Sequence, residues 1–122
     1  MSDLLLRQRI VEGLLAAGYS VEVAGGPTVV GDKLAHLSPV ALVIDLETRS
    51  LDAVDLIAGL RADPGTARLP VLGVFGLVNT DARDRALAAG ADHVATRGEM
   101  AMRLDRLMGR LLAPSRPAPA AG

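Results

Sequence analysis

The sequence contains no cysteine and no tryptophan, and it has only one tyrosine and one phenylalanine. Without cysteine the chain can form no disulfide, no zinc–thiolate site and no iron–sulfur cluster, and it has no thiolate nucleophile. We therefore expect a reducing compartment, the cytoplasm. Because bases bind single-strand-binding proteins by stacking on aromatic rings, such a shortage of rings argues against single-stranded nucleic-acid binding.

The chain also lacks an excess of charge of either sign, since its formal net charge is −1. This balance argues against broad electrostatic binding to nucleic acid or to anionic lipid. No apolar run approaches the ~20 residues needed to cross a bilayer. Met1 is followed directly by Ser2 and Asp3, without the basic and apolar regions of a signal peptide. We expect no nucleic-acid partner and no membrane association.

What remains is the composition of a single globular domain: 122 residues, half of them hydrophobic. Residues 1–112 alternate between helical and strand patterns and form the predicted domain. Residues 113–122 read APSRPAPAAG and place three prolines among small residues. This composition predicts a disordered tail or linker, because it offers nothing to bury and interrupts a helix.

Within residues 1–112, apolar residues recur at helical spacing in five segments and follow a strand pattern in four others, where residues 20–24 alternate between polar and apolar. Gly18 and Gly90 are natural helix ends, Ser50 is a candidate N-cap, and Asp63 precedes a Pro–Gly turn. The predicted helices cover about residues 6–17, 28–37, 50–63, 79–89 and 99–112, and the predicted strands cover 20–24, 41–46, 71–75 and 91–96. Strands 41–46 and 71–75 are expected to be buried on both faces. Such alternation is typical of a parallel sheet covered by helices.

This pattern has five helices but only four strands, so a strand is missing at the front. In a doubly wound sheet of order 2-1-3-4-5 the first strand lies in the middle, and its absence predicts a central gap. Three explanations stay open at this point. The true start of the protein lies upstream of Met1; residues 4–6 are recruited as a strand; or another chain fills the gap by strand exchange.

Four stretches, in this order and at these intervals, resemble bacterial response-regulator receiver domains, which are CheY-like, flavodoxin-like modules phosphorylated by histidine kinases. They are RIVEGLLAAGYSVEVAGG, ALVIDLETRSLDAVDLIAGLRAD, LPVLGVFG and AAGADHVATR. The resemblance covers about residues 2–112. It implies an α/β fold with a flavodoxin-like doubly wound parallel sheet of order 2-1-3-4-5, here with strand 1 missing or truncated.

The resemblance also implies acyl-phosphate chemistry at the carboxyl edge of the sheet, where an aspartate accepts a phosphoryl group held by Mg²⁺. Asp45 falls on the phospho-acceptor position. The family's adjacent acidic pair falls on Ser2 and Asp3, so one of its two carboxylates remains. Glu47 matches a position that usually offers its backbone carbonyl to the metal. A magnesium site would therefore involve Asp3, Asp45 and Glu47, since Mg²⁺ prefers oxygen ligands.

Two further positions depart from the family's pattern. Phe75 stands where the family has a hydroxyl residue that bonds the phosphoryl group, and a phenyl ring cannot donate. Arg97 replaces a lysine, followed by Gly98 in place of a proline; the charge is kept, but the planar fork of arginine has a different geometry. The resemblance therefore implies an atypical receiver domain that is not an enzyme.

The function implied is phosphorelay signalling in a two-component system, with a histidine kinase or other signalling protein as partner. The alternative is a pseudo-receiver that binds a protein partner whether or not it is phosphorylated. A homodimer is a further expectation, through the face of the fourth helix, the last strand and the fifth helix, or by strand exchange.

Simpler interpretations stay open for each site residue. Asp45 can end its strand by accepting backbone N–H groups of the following loop. Asp3 can be the N-cap of the first helix. Arg97 can pair with Asp45 in a lock that needs no phosphate, because arginine forms charge-assisted hydrogen bonds to carboxylates.

Overall fold

The computed structural model describes residues 2–25, 27–47 and 52–112, the side chains of residues 2–4 and 27 excepted. The elements in chain order are α1 (Ser2–Ala16), α2 (Pro27–His36), β1 (Leu42–Asp45), α3 (Ala53–Ala62), β2 (Val71–Phe75), α4 (Thr80–Ala89), β3 (His93–Thr96), α5 (Arg97–Met102) and α6 (Leu104–Leu111). The predicted α/β fold is confirmed. The predicted tail, residues 113–122, lies outside the described residues. Among the described helices, none has both the length and the apolar character of a membrane span.

The three described strands form one parallel sheet in the order β1-β2-β3. Its register places Asp45 opposite Val74 and Phe75 opposite Thr96. All five residues of the central strand β2 are buried, as predicted. Because the strands are parallel, their carboxyl ends meet at one edge of the sheet, and that edge is where ligands bind in open α/β folds.

Two apolar clusters cover the two faces of this sheet, because successive residues of a strand point to opposite faces. Helices α1, α5 and α6 pack on one face and helices α3 and α4 on the other. The first cluster contains Leu14, Leu72, Val74, Ala95, Met100, Met108 and Leu111. The second contains Ile44, Ala53, Ile57, Leu60, Val71, Ala86 and Ala91.

Local signals in the sequence set most of the helix ends. Gly18 and Gly90 have positive φ angles of 97° and 120°, which side chains disfavour, and Gly90 ends α4 as predicted. Asn79 caps the start of α4 by accepting the N–H of Ala82. Helix α3 is capped by Asp52, whereas Ser50, the predicted cap, lies outside the described residues.

The predicted single helix over residues 99–112 is wrong, since the structure has two helices that meet at Arg103. Helix α5 begins earlier than predicted because Thr96 and Glu99 form a capping box. Arg103 leaves helical geometry, with φ −136° and ψ 33°. The chain changes direction there, so that Met100 and Met108 both reach the same apolar cluster.

The predicted strand over residues 20–24 is also wrong. This segment is extended but pairs with no other strand in the described part of the chain. A strand exists only with a neighbour, and the gap predicted from the count of elements lies beside it. The same gap exposes β1, in which only Ile44 is buried, so the prediction of burial on both faces is wrong as well. Residues 4–6 belong to α1 and are not recruited as a strand.

A guanidinium ties the opposite, amino-terminal end of the sheet to the helices. Arg61 Nε donates to Gly90 O at 2.9 Å, and Nη1 donates to Ala67 O at 3.0 Å and Leu69 O at 2.7 Å. Its Nη2 lies 2.8 Å from Asp92 Oδ2. This side chain therefore holds the segments leading into β2 and β3 against α3, a role that no local pattern in the sequence predicts.

We expect Arg61→Ala to lower the free energy of unfolding by about 2–4 kcal/mol, because it removes four polar contacts of a side chain only 21% exposed. Urea unfolding followed by circular dichroism measures the change. Arg83→Ala is the matched control, since within the described residues the Arg83 side chain pairs with its exposed neighbour Asp84 alone and its loss should change stability by less than about 0.5 kcal/mol. Equal losses in the two variants would contradict this role of Arg61.

Candidate functional site

The carboxylate of Asp45 lies at the carboxyl end of β1, where the chain leaves the sheet. Its side chain is 37% exposed, so that solvent reaches it. Oδ1 accepts the backbone N–H of Glu47 at 2.9 Å. This is the contact expected of a residue that ends a strand, and it also holds the carboxylate at the edge of the sheet. Both interpretations of Asp45 are compatible with this position.

Glu47 reaches across from the loop after β1 to the chain after β2. Its Oε1 accepts the backbone N–H of Gly76, the residue that follows Phe75. A Cβ at Gly76 would lie 2.9 Å from that oxygen, so a glycine is needed for this approach. The sequence indicates Glu47 as a metal ligand but does not predict its contact with Gly76. The local signal for that contact is a glycine directly after a buried strand.

Arg97, the first residue of α5, brings a positive charge to the same edge. Its Nη2 lies 3.7 Å from Asp45 Oδ1 and 3.5 Å from Glu47 Oε2. The side chains of Arg97 and Glu47 are each 26% exposed. The parallel sheet therefore brings together three residues from separate parts of the chain, two carboxylates and one guanidinium. Because one positive charge faces two negative ones, Arg97 only partly neutralises the pair.

Phe75 occupies the last position of β2 and is 5% exposed. Its ring is packed in the apolar interior and has no polar atom. The nearest hydroxyl in the register is that of Thr96, opposite Phe75, and it already accepts the N–H of Glu99 at 3.1 Å. The edge of the sheet thus offers an amide and a guanidinium to an anion, but no hydroxyl from β2.

The oxygen atoms at this edge match the ligands of a magnesium ion in part. Asp45 and Glu47 lie at the same edge, and Mg²⁺ is usually held by one or two carboxylates together with waters. The side chain of Asp3 lies outside those that the structure describes. Among the described residues, no group of three acidic or histidine side chains is arranged to hold a metal. The two carboxylates therefore fit Mg²⁺ in type and number, in competition with Arg97.

Comparison with curated proteins finds two regulatory proteins. The chain is 32% identical over 106 residues to a gliding motility regulatory protein of Myxococcus xanthus, covering 81% of this chain and 14% of that protein. It is 32% identical over 75 residues to protein RcaC of Microchaete diplosiphon, covering 62% of this chain and 12% of that protein. The chain thus spans about one seventh or less of the length of these relatives. No family model matches.

Solved structures with the same fold are receiver domains. The receiver domain of NtrX from Brucella abortus has a TM-score of 0.81 at 18% identity, over 92% of this chain and 93% of that one. A signal receiver domain from Bermanella marisrubri has a TM-score of 0.73 at 26% identity, over 87% of this chain and 88% of that one. A third, the receiver domain of a sensor histidine kinase from Pseudomonas aeruginosa, has a TM-score of 0.70 at 20% identity over 88% of each chain and holds magnesium in its active site cleft.

These findings define a class: an α/β domain whose parallel sheet and flanking helices form the receiver-domain, flavodoxin-like fold. The resemblance predicted from the sequence is confirmed: the chain has the fold of response-regulator receiver domains and is similar over most of its length to a regulatory protein.

We expect Arg97→Ala to lower the free energy of unfolding by roughly 1 kcal/mol at neutral pH, because two half-buried carboxylates lose their shared counter-charge. Thermal unfolding followed by circular dichroism measures it, and about 1 M NaCl should shrink the difference by screening the charges. The control is Arg106→Ala, an exposed position on α6. An unchanged melting temperature in Arg97→Ala would count against the ion pairs.

Proposed function

We propose that this domain receives a phosphoryl group on Asp45 in a two-component signalling pathway. The observation that supports the proposal best is the solvent-accessible, half-buried carboxylate of Asp45 at the carboxyl edge of a receiver-type sheet, 3.7 Å from the guanidinium of Arg97. A carboxylate is a weak nucleophile that needs an accessible position and nearby positive charge. Asp45 has both.

In the proposed step, an Asp45 carboxylate oxygen attacks the phosphorus of a phosphohistidine or of a small acyl phosphate. The new oxygen–phosphorus bond gives an acyl phosphate, and the bond to the imidazole nitrogen or to the leaving carboxylate breaks with its electron pair. Arg97 would stabilise the added negative charge. If Mg²⁺ is held by Asp45 and Glu47, it supplies further positive charge to the phosphoryl oxygens.

The partner implied is a histidine kinase or another signalling protein that docks at the edge bearing Asp45. The buried ring of Phe75 limits how strongly the domain can respond to phosphorylation. A hydrogen bond to a charged group contributes about 1.5–3 kcal/mol, and β2 offers no side-chain donor to make it. Phosphorylation of Asp45 would therefore change the equilibrium constant between the two conformations of the domain at least about tenfold less than it would with a hydroxyl at position 75.

We expect acetyl phosphate with Mg²⁺ to add the mass of one phosphoryl group to the protein, as measured by intact mass spectrometry. The group should be absent from Asp45→Asn and present in Asp105→Asn, in which a different exposed carboxylate is removed. No mass gain in the unmodified protein, or an equal gain in Asp45→Asn, would contradict Asp45 as acceptor.

One observation favours the alternative function, a pseudo-receiver that binds its partner without phosphorylation. The Glu47 carboxylate accepts the N–H of Gly76 and lies 3.5 Å from Arg97. These are the donors that an anion attached to Asp45 would use. Glu47 thus places a negative charge on the donors that a phosphoryl group on Asp45 would need, so a partner that recognises this charged edge would not require phosphorylation.

Glu47→Gln separates the two functions, because it removes the negative charge and keeps an acceptor for Gly76 N–H. If Asp45 is an acceptor and Glu47 does not hold the metal, we expect its labelling by acetyl phosphate to rise roughly five- to tenfold, since repulsion between Glu47 and the incoming phosphoryl group disappears. A fall in labelling would indicate instead that Glu47 holds Mg²⁺. Glu99→Gln tests whether loss of any acidic residue has this effect. An absence of labelling in both the unmodified protein and Glu47→Gln would favour the pseudo-receiver.

Self-association belongs to the proposal as well, through the face of α4, β3 and α5. Leu87 on α4 and Met102 on α5 are exposed apolar side chains on these elements. Exposed apolar groups of this size are common singly and mark an interface when they cluster. Sedimentation equilibrium over a range of protein concentrations measures the association.

A further inference from the structure

Arg97 lies at the junction between the last strand and the short helix that follows it. Thr96, the last residue of β3, is held in the sheet opposite Phe75. Met100, one turn into α5, is 1% exposed and belongs to the first apolar cluster. The backbone on either side of Arg97 is therefore fixed, by the sheet before it and by the core after it.

The guanidinium of Arg97 lies far from these two anchors. The strands follow the order β1-β2-β3 and neighbouring strands are about 4.8 Å apart, so the side chain reaches from the end of β3 across β2 to Asp45. Its Nη2 lies 3.7 Å from Asp45 Oδ1 and 3.5 Å from Glu47 Oε2, close to the upper limit for an ion pair. A small rotation of the backbone at Arg97 would move the end of so long a side chain far enough to lose both ion pairs.

Two hydrogen bonds hold the backbone at this junction. Thr96 Oγ1 accepts the N–H of Glu99 at 3.1 Å, and Glu99 Oε1 accepts the N–H of Thr96 at 2.9 Å. Together they form the capping box of α5 and enclose Arg97 and Gly98 between their two ends. Rotation about the backbone bonds of Arg97 would therefore stretch or break them.

Helix α5 depends on its capping box more than a longer helix would. It has six residues, fewer than a helix needs to be stable by itself, and its second residue is Gly98, a residue of low helix propensity. Without the capping box the first turn would open, and Arg97 is the first residue of that turn. Because the core holds Met100, loss of the cap would displace the guanidinium of Arg97 before it displaces the rest of α5.

We propose that the capping box of Thr96 and Glu99 aims the guanidinium of Arg97 at Asp45 and Glu47. Thr96 is then a positioning residue for acceptance of the phosphoryl group, because its hydroxyl acts on the reaction through Arg97. This positioning role rests on the proposed function of Asp45. The aim of the guanidinium concerns the ion pairs of Arg97 alone and holds with or without phosphorylation.

A double-mutant cycle on thermal unfolding tests whether the capping box aims Arg97. Thr96→Val keeps the β-branched shape of the side chain and removes the oxygen that accepts the N–H of Glu99. If the cap only stabilises α5, the losses of melting temperature in Thr96→Val and Arg97→Ala add when the two changes are combined. We expect instead that Arg97→Ala lowers the melting temperature in the Thr96→Val background by less than about half of its effect in the unmodified protein.

Three control variants separate this effect from the loss of any hydrogen bond. Thr66→Val makes the same chemical change where a hydroxyl donates to Leu60 O at 2.9 Å, in the segment leading into β2, and its loss should add to that of Arg97→Ala. Thr96→Ser and Glu99→Gln keep both hydrogen bonds of a capping box. In these two variants Arg97→Ala should lower the melting temperature as much as it does in the unmodified protein.

The rate at which acetyl phosphate with Mg²⁺ labels Asp45, measured below the melting temperatures of all variants, tests the positioning role. Thr96→Val should slow labelling at least about threefold, and Thr96→Ser should restore the rate. In the Arg97→Ala background, Thr96→Val should change the rate less than about 1.5-fold, because Thr96 acts through Arg97.

Additive losses of melting temperature in the Thr96→Val cycle, as in the Thr66→Val cycle, would overturn the proposal. Equal slowing of labelling by Thr96→Val with and without Arg97 would overturn the positioning role. If neither the unmodified protein nor any variant is labelled, the proposed function fails, and the thermal cycle alone decides whether the capping box aims Arg97. If Thr96→Val proves unfolded by circular dichroism, Glu99→Ala, which breaks the other hydrogen bond of the box, takes its place in both measurements.

Discussion

The parallel alignment of three short strands is the constraint on which the site depends. Because β1, β2 and β3 all end at one edge, residues far apart in the sequence meet there without any covalent link. Asp45 ends β1, Gly76 follows β2, and Arg97 follows β3. A shift of one residue in either pairing would turn these positions toward the other face of the sheet. The buried residues of β2 fix the register of the sheet, and the register determines which side chains meet at this edge.

The charges at this edge nearly satisfy one another. Asp45 accepts an N–H from its own loop, Glu47 accepts one from Gly76, and Arg97 faces both carboxylates. Each group that could act on an external anion or cation already has an internal partner. Any ligand at this site must therefore compete with contacts inside the domain. Phosphorylation of Asp45 would require Glu47 to release the N–H of Gly76 and the guanidinium of Arg97. Competition between Glu47 and a phosphoryl group for the same donors thus connects the two proposed functions, the phosphorylated receiver and the pseudo-receiver.

Much of the fold could be predicted from the sequence, and the site only in part. Short aliphatic runs indicated all three strands, and Gly90 and Asn79 marked the ends of α4, because these signals are local. Residues 20–24 have the alternation of a strand, yet their state depends on a neighbour that the pattern cannot supply. The contact of Glu47 with Gly76 and the contacts of Arg61 join distant segments. No local pattern reveals such contacts, although the positions of Asp45 and Arg97 could be inferred from the resemblance.

Each pairing in the sheet joins strands that are consecutive in the chain, with one helix between them. Each strand is therefore added to the one before it across a single helical crossover, so the loop that each pairing closes is shorter than it would be between strands further apart in the chain. The part of the chain from β1 onward can begin to assemble from either strand pair without waiting for α1. The amino-terminal helices would then join late, as a cover on a sheet that has already formed.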